Sequence, residues 1–310
     1  MELNIILEGK ALEVIKTFPD KSIDAVITSP PYWMKRDYGW DGQWGMEPTF
    51  QMYLENLWSL MDEIYRVLKD TGTVWINLGD TYGTKSGNFT GGNTVKNKIS
   101  YTGVMGEDYT KDLAYHKCLL LIPHRFAIGC IDRGWTVRND IIWAKENAMP
   151  ESMKDRFSQK HEYFFLMVKC DEYYFDLDNI REKSISKNKI RNKSIENYNG
   201  AFLSPLGKGS RPEQHPLGKN PGSVSNFWDI NTKPSKNNHF ATYNTELIDK
   251  PIMAGCPKGG IILDPFCGTA TTGCRAIDLQ RKFIGIEGKP EYVKIGNKKL
   301  LPFQITQQLF

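Results

Sequence analysis

GGIILDPFCGTATTGCRAIDLQRKFIGIE, residues 259–287, reads as strand, turn, helix, strand. Ile261, Ile262 and Leu263 form a short apolar run of the buried-strand type, which ends in Asp264. A turn of small residues follows, in which Gly268 lets the backbone approach a ligand closely. Thr271 or Thr272 can cap the helix TTGCRAIDLQ. The second strand, KFIGIE, ends in Glu287, placed about twenty residues after Asp264 as a carboxylate that accepts hydrogen bonds from ribose hydroxyls. The stretch therefore points to a nucleoside-containing ligand. It is not GxGxxG, so NAD is only weakly indicated.

Outward from this unit the same alternation recurs. NIILEG is a strand candidate, ALEVIKTF has helical spacing at 12, 15 and 18, and SIDAVITS is a strand. Leu54, Leu57, Met61, Ile64 and Leu68 mark one face of a long helix expected to stop near Gly72, before the β-rich run TVWINLG. A helix is expected from about Ile122 to Arg133, stopped by Gly134, and then strands in WTVRNDIIWAK and HEYFFLMVK. The strand candidates are 4–8, 22–28, 73–78, 136–144, 161–168, 260–264 and 282–287, seven in all. Such alternation predicts an α/β fold with a mostly parallel sheet and ligands at the carboxyl ends of its strands. Residues 82–111, rich in Gly, Asn, Thr, Ser and Lys, read as a long loop of functional length.

A second strand ends in unusual chemistry. ITSPPYW, residues 27–33, leaves a hydrophobic run through two prolines and presents Tyr32 and Trp33. Proline cannot extend a sheet ladder, and Pro31 holds the residue before it extended, so the chain exits stiffly. Carbonyl oxygens there have no sheet partner. Ser29 adds a neutral acceptor and Tyr32 a flat face for stacking. The set suits a grip on an exocyclic amino group of an aromatic base, although a proline-stiffened turn with packed aromatics would look the same.

Composition is that of an ordinary globular protein: 310 residues, 40% hydrophobic and 25% charged. The start, MELNIILEGK, is not a secretory signal, and no apolar run approaches the ~20 residues of a membrane span. The six cysteines form no CxxC pair, so neither a zinc site nor a disulfide framework is expected. These features predict a reducing, cytoplasmic setting. The net charge is +4, yet residues 181–236 alone hold eleven Lys/Arg against four Asp/Glu. A basic segment of this kind is either a solvated loop or a footprint for a polyanion.

Taken together, TSPPYW and DPFCGTATT resemble the catalytic and cofactor motifs of the DNA amino-methyltransferases. The catalytic motif comes first, as in the circularly permuted β group, and the flanking segments RNDIIWAKENAMPESMKDRFSQKHEYFFLMVK and HFATYNTELIDKPI are similar as well. The resemblance covers most of the chain and is closest to the site-specific cytosine-N4 enzymes of restriction–modification systems. It implies a seven-stranded, Rossmann-like methyltransferase sheet in two halves, 1–180 and 239–310, separated by a target-recognition insert at 181–238. It implies S-adenosyl-L-methionine as cofactor, lined by Asp264, Pro265, Phe266, Gly268, Thr269 and Thr271. Glu287 would hold the ribose, with Thr242 and Asn244 near the methionine end. Ser29, Pro30, Pro31 and Tyr32 would hold a base flipped out of double-stranded DNA. The insert, through Lys187, Lys189, Arg191, Lys193, Lys208 and Arg211, would contact DNA. Three positions depart from the family pattern: Lys10 stands where Asp is frequent, Ala270 where Gly is, and Asn244 where Pro is.

The implied reaction is direct methyl transfer to cytosine N4, with no cysteine nucleophile and no metal. Ser before Pro-Pro-Tyr is the pattern of cytosine enzymes; adenine-N6 transfer is the alternative, and a silent DNA-binding module of the same fold is a third reading. A cognate endonuclease and a homodimer are partners implied by the family alone.

Overall fold

The computed structural model describes residues 1–83, 115–148, 150–181, 224–232 and 244–307. Eight strands form one sheet: β1 Ile5–Glu8, β2 Ile23–Thr28, β3 Leu68–Leu78, β4 Thr136–Ala144, β5 His161–Val168, β6 Phe227–Asp229, β7 Ile261–Asp264 and β8 Lys282–Glu287. Their order is β1-β8-β7-β2-β3-β5-β4-β6. Only β5 runs against its neighbours, antiparallel to β3 and β4; every other pairing is parallel. The seven strands expected from the sequence are all present. The eighth, β6, is a three-residue ribbon paired with β4, and it falls within the stretch 181–238.

Helices cover both faces. Alternation along β2 sends Val26 to one side and Ala25 and Ile27 to the other. On the first side pack α1 (Ala11–Ile15), α2 (Phe50–Val67) and α3 (Ile122–Asp132), through Ile15, Leu57, Ile64 and Phe126 among others. On the second pack α5 (Thr245–Gly255), α6 (Thr271–Asp278) and α7 (Pro290–Gln307), through Leu247, Ile252, Ala276 and Leu300. The short α4 (Leu177–Ile180) follows β5 in the chain. Buried on both faces, the central strands are nearly continuous in Val, Ile, Leu and aromatic residues, as parallel strands must be.

One helix boundary differs from the sequence expectation. Leu68 has the spacing of the α2 face, yet it is extended and opens β3 opposite Ile23. Lys69 then pairs with Asp24 at 2.7 Å. The buried leucine serves the same core from a strand, so its periodicity could not mark where the helix ends.

Candidate active site

Register alone brings the site together. Thr28 of β2 lies opposite Ile76 of β3, so the next residues, Ser29 and Asn77, emerge side by side at the carboxyl ends. Leu78 lies opposite Tyr163, which sets Glu162 of β5 just beyond the end of β3. Trp143 of β4 lies opposite Glu162, bringing Lys145 within reach. The prolines then turn the chain so that Tyr32 folds back over this edge. Tyr53 of α2 fixes the turn by donating to the Pro31 carbonyl at 2.9 Å.

Tyr32 is held at its tip. Its hydroxyl lies 2.8 Å from Asn77 Oδ1 and 2.7 Å from Glu162 Oε2. Asn77 is anchored in turn by Nδ2 donating to the Tyr163 carbonyl at 3.0 Å. Glu162 forms a largely buried ion pair with Lys145 at 2.5 Å, and Lys145 Nζ sits 3.9 Å over the Trp143 ring. Burial, and then the Glu162 carboxylate, push the Tyr32 phenol well above its ordinary value, so it stays protonated and donates. Gly79 makes room for the ring: a Cβ there would lie 2.6 Å from Tyr32 Cε2. Ser29 Oγ lies 3.4 Å from Asn77 Oδ1 and 3.5 Å from the Tyr32 hydroxyl.

Asp264 joins this edge to the second strand end. The residue is buried, and Thr28 and Thr272 each donate to its carboxylate at 2.6 Å, while the Phe266 amide donates at 3.1 Å. Thr28 immediately precedes Ser29, so the carboxylate ties the two loops to each other. The sequence expectation that Thr271 or Thr272 caps α6 is not met: the N-cap is Ala270, left-handed at φ 66°, with no side-chain cap, because Thr272 turns its hydroxyl to the buried Asp264. Thr269 is pinned through its hydroxyl and carbonyl by Lys299 Nζ at 2.8 and 2.9 Å.

Glu287 ends β8 beside this turn and accepts from the Gly268 and Lys289 amides at 3.0 and 2.8 Å. Burial raises its pKa, more than those amides lower it. Gly268 is left-handed at φ +52°, with nothing within 4 Å of where a Cβ would sit. The segment after Tyr32 crosses above: Trp44 meets Phe266 at 5.2 Å between ring centroids, Trp40 fills the space that Gly288 leaves, and Lys289 Nζ donates to the Tyr38 carbonyl at 2.9 Å. Open space before Gly268, an aromatic wall and a desolvated carboxylate fit an adenosine-bearing cofactor: the carboxylate gains the hydroxyl donors that burial denies it.

Of the remaining expected residues, Asn244 caps α5, accepting from the Glu246 amide at 3.2 Å and donating to the Asn231 carbonyl at 3.2 Å. Thr242, Lys187, Lys189, Arg191, Lys193, Lys208 and Arg211, and most of the loop 82–111, lie outside the described residues. Sequence reasoning missed Asn77, Glu162, Lys145, Trp40 and Trp44. The signal for Asn77 was a polar residue inside the apolar strand run VWINL. All six cysteines are free. Among the described residues, no cluster of His, Cys, Asp or Glu could hold a metal ion, and no helix is long and apolar enough to cross a membrane.

With both strand ends defined, the class of protein follows: the chain belongs to the DNA methylase family whose model matches residues 23–298, and it is an S-adenosylmethionine-dependent DNA methyltransferase. It is similar to the type II methyltransferase M.Cfr9I of Citrobacter freundii, 37% identical over 97% of this chain and 89% of that protein. The type II methyltransferase M.SmaI of Serratia marcescens is 34% identical over 96% of this chain and 90% of its own length. Among solved structures, the cytosine-N4-specific PvuII DNA methyltransferase shares the fold, with a TM-score of 0.63 at 18% identity over 95% of this chain and 85% of that one.

Proposed function

We propose that this methyltransferase acts on the exocyclic N4 of a cytosine flipped out of duplex DNA, at a short specific sequence, as the modification half of a restriction–modification system. The observation that carries the reading is the neutral Ser29 hydroxyl at the carboxyl end of β2, tied through Thr28 and Asp264 to the cofactor turn. The cytosine-N4 specificity of the PvuII enzyme, which shares the fold, agrees with it.

In this reading Ser29 Oγ and the Pro30 carbonyl accept the two amino hydrogens. Their pull favours a more pyramidal nitrogen with an available lone pair. Tyr32 stacks on the base, returning ~1–3 kcal/mol against the few kcal/mol that flipping costs. Asp264, Pro265, Phe266, Gly268, Thr269 and Thr271 form the turn that receives the cofactor, Glu287 takes the ribose hydroxyls, and Thr242 and Asn244 lie toward its methionine end. S-adenosylmethionine, when bound, would supply a methyl group activated by its sulfonium sulfur. With both partners held, alignment provides much of the acceleration. The burial of Tyr32 and Glu162 keeps water from the amine.

Residues 181–238 form the target-recognition insert between the halves 1–180 and 239–310. Within it Lys187, Lys189, Arg191, Lys193, Lys208 and Arg211 neutralise phosphates, giving salt-dependent affinity. A cognate endonuclease shares the target sequence, the enzyme works in the cytoplasm, and a homodimer is the assembled form. The test is transfer from labelled cofactor to unmethylated genomic DNA, followed by digestion to nucleosides and mass spectrometry. N4-methylcytidine supports the proposal, and N6-methyladenine replaces the base while keeping the enzyme. Bound cofactor with neither product points to a silent DNA-binding module.

A further inference from the structure

The side chains behind Ser29 direct its proton. Lys145 pairs with Glu162 at 2.5 Å, and the single Tyr32 proton lies between Glu162 Oε2 at 2.7 Å and Asn77 Oδ1 at 2.8 Å, so Tyr32 has none to give to Ser29. The Asn77 amide cannot flip, because Nδ2 already donates to the Tyr163 carbonyl at 3.0 Å and a flip would set two oxygens against each other. Its Oδ1 therefore faces Tyr32 and Ser29 as an acceptor, with one lone pair toward each hydroxyl. The Ser29 hydroxyl lies 3.4 Å from that oxygen and 3.5 Å from the Tyr32 oxygen, both inward and both acceptors. A serine hydroxyl has one proton and two lone pairs. With the proton committed inward, the lone pairs face the pocket.

We infer that Asn77 is a positioning residue that commits the Ser29 proton inward, so that Ser29 presents only an acceptor to the incoming base and selects an amino group over a carbonyl. This rests on the reading of Ser29 as the contact to the target amine. A base with a carbonyl at the reacting position, such as thymine or guanine, would meet two acceptors, Ser29 Oγ and the Pro30 carbonyl, with no donor between them. Rejection of such bases follows from unpaired buried polar groups rather than from shape.

The test is a double-mutant cycle on the full-length enzyme, read as the single-turnover methyl-transfer rate at saturating cofactor and DNA. The variants are Ser29→Ala, Asn77→Leu, which removes the amide at similar volume, and the double. S-adenosylhomocysteine affinity reports that each variant is folded; should Asn77→Leu lose it, Asn77→Ala takes its place in the cycle. Each single change is expected to slow transfer by about tenfold to a hundredfold. Because Asn77 Oδ1 also meets the Tyr32 hydroxyl at 2.8 Å, every enzyme in the cycle carries Tyr32→Phe, which keeps the stacking ring without that contact. If Asn77 acts through the serine proton, the double variant is then no slower than Ser29→Ala. Losses that multiply, or an Asn77 variant at the rate of the Tyr32→Phe parent, overturn the inference and leave the site reading intact. Ser29→Ala at the rate of that parent overturns both.

Discussion

Gly79→Ala tests how closely catalysis depends on the placement of Tyr32. The added Cβ would lie 2.6 Å from Tyr32 Cε2 and 2.9 Å from Cδ2, whereas ordinary contact begins near 3.4 Å. The ring must retreat by roughly 0.8 Å or the strand end must move, and overpacking of this kind costs ~1–3 kcal/mol. The hydroxyl sits at 2.7–2.8 Å from two fixed acceptors, so a retreat of that size breaks at least one of these bonds. A misplacement of about 1 Å in a positioning group costs about a hundredfold in rate. Single-turnover transfer should therefore fall by about that factor. Affinity for S-adenosylhomocysteine should stay near wild type, because the atoms nearest the added Cβ all belong to Tyr32. Transfer at the wild-type rate, with the added methyl group visible in a crystal structure, would refute the claim that the clamp on Tyr32 sets the reaction geometry.

Other outcomes follow from the same contacts. Thr28→Val keeps shape but removes a 2.6 Å donor from the buried Asp264, and should cost about 1.5–3 kcal/mol in urea unfolding together with a loss of transfer rate. Trp44→Ala removes the partner of Phe266 and should weaken cofactor binding about tenfold by calorimetry while leaving DNA affinity unchanged. The Glu287 pKa is raised by burial, and its ionised form is the better acceptor for ribose hydroxyls, so cofactor affinity should fall with decreasing pH. The fall should begin above the ordinary carboxylate range, and Glu287→Gln should bind weakly with that acid limb gone. For the stability of the cofactor-free protein the sign is opposite: the raised pKa makes a contribution present below the unfolded value and lost as pH rises through the folded one.

The sequence exposed whatever was local. DPFCGTATT and TSPPYW each carry their geometry within a few residues, and buried central strands announce themselves as short apolar runs. What it hid depends on pairing between distant segments. Asn77, Glu162 and Lys145 meet only because β5 runs antiparallel beside β3 and β4, and nothing local to HEYFFLMVK states that direction. Glu162 reads as the polar flank of a strand until Tyr32 is laid beside it. The strand β6 is three residues long, too short for a period, and Phe227 and Asp229 are exposed while only Trp228 is buried. Trp40 and Trp44 stand in a stretch without periodicity, and their partners, Gly288 and Phe266, lie at the other end of the chain.

The central claim is that two strand ends divide one reaction, β2 holding the base and β7 with β8 holding the cofactor. Single-turnover methyl transfer as a function of cofactor concentration, measured on Tyr32→Ala and Glu287→Gln beside the wild type, tests it most directly. Tyr32→Ala is expected to bind cofactor normally yet transfer slowly even at saturation, whereas Glu287→Gln should need far more cofactor and recover most of the wild-type rate once saturated. The reverse pattern, a Tyr32 variant rescued by cofactor and a Glu287 variant that is not, would contradict it.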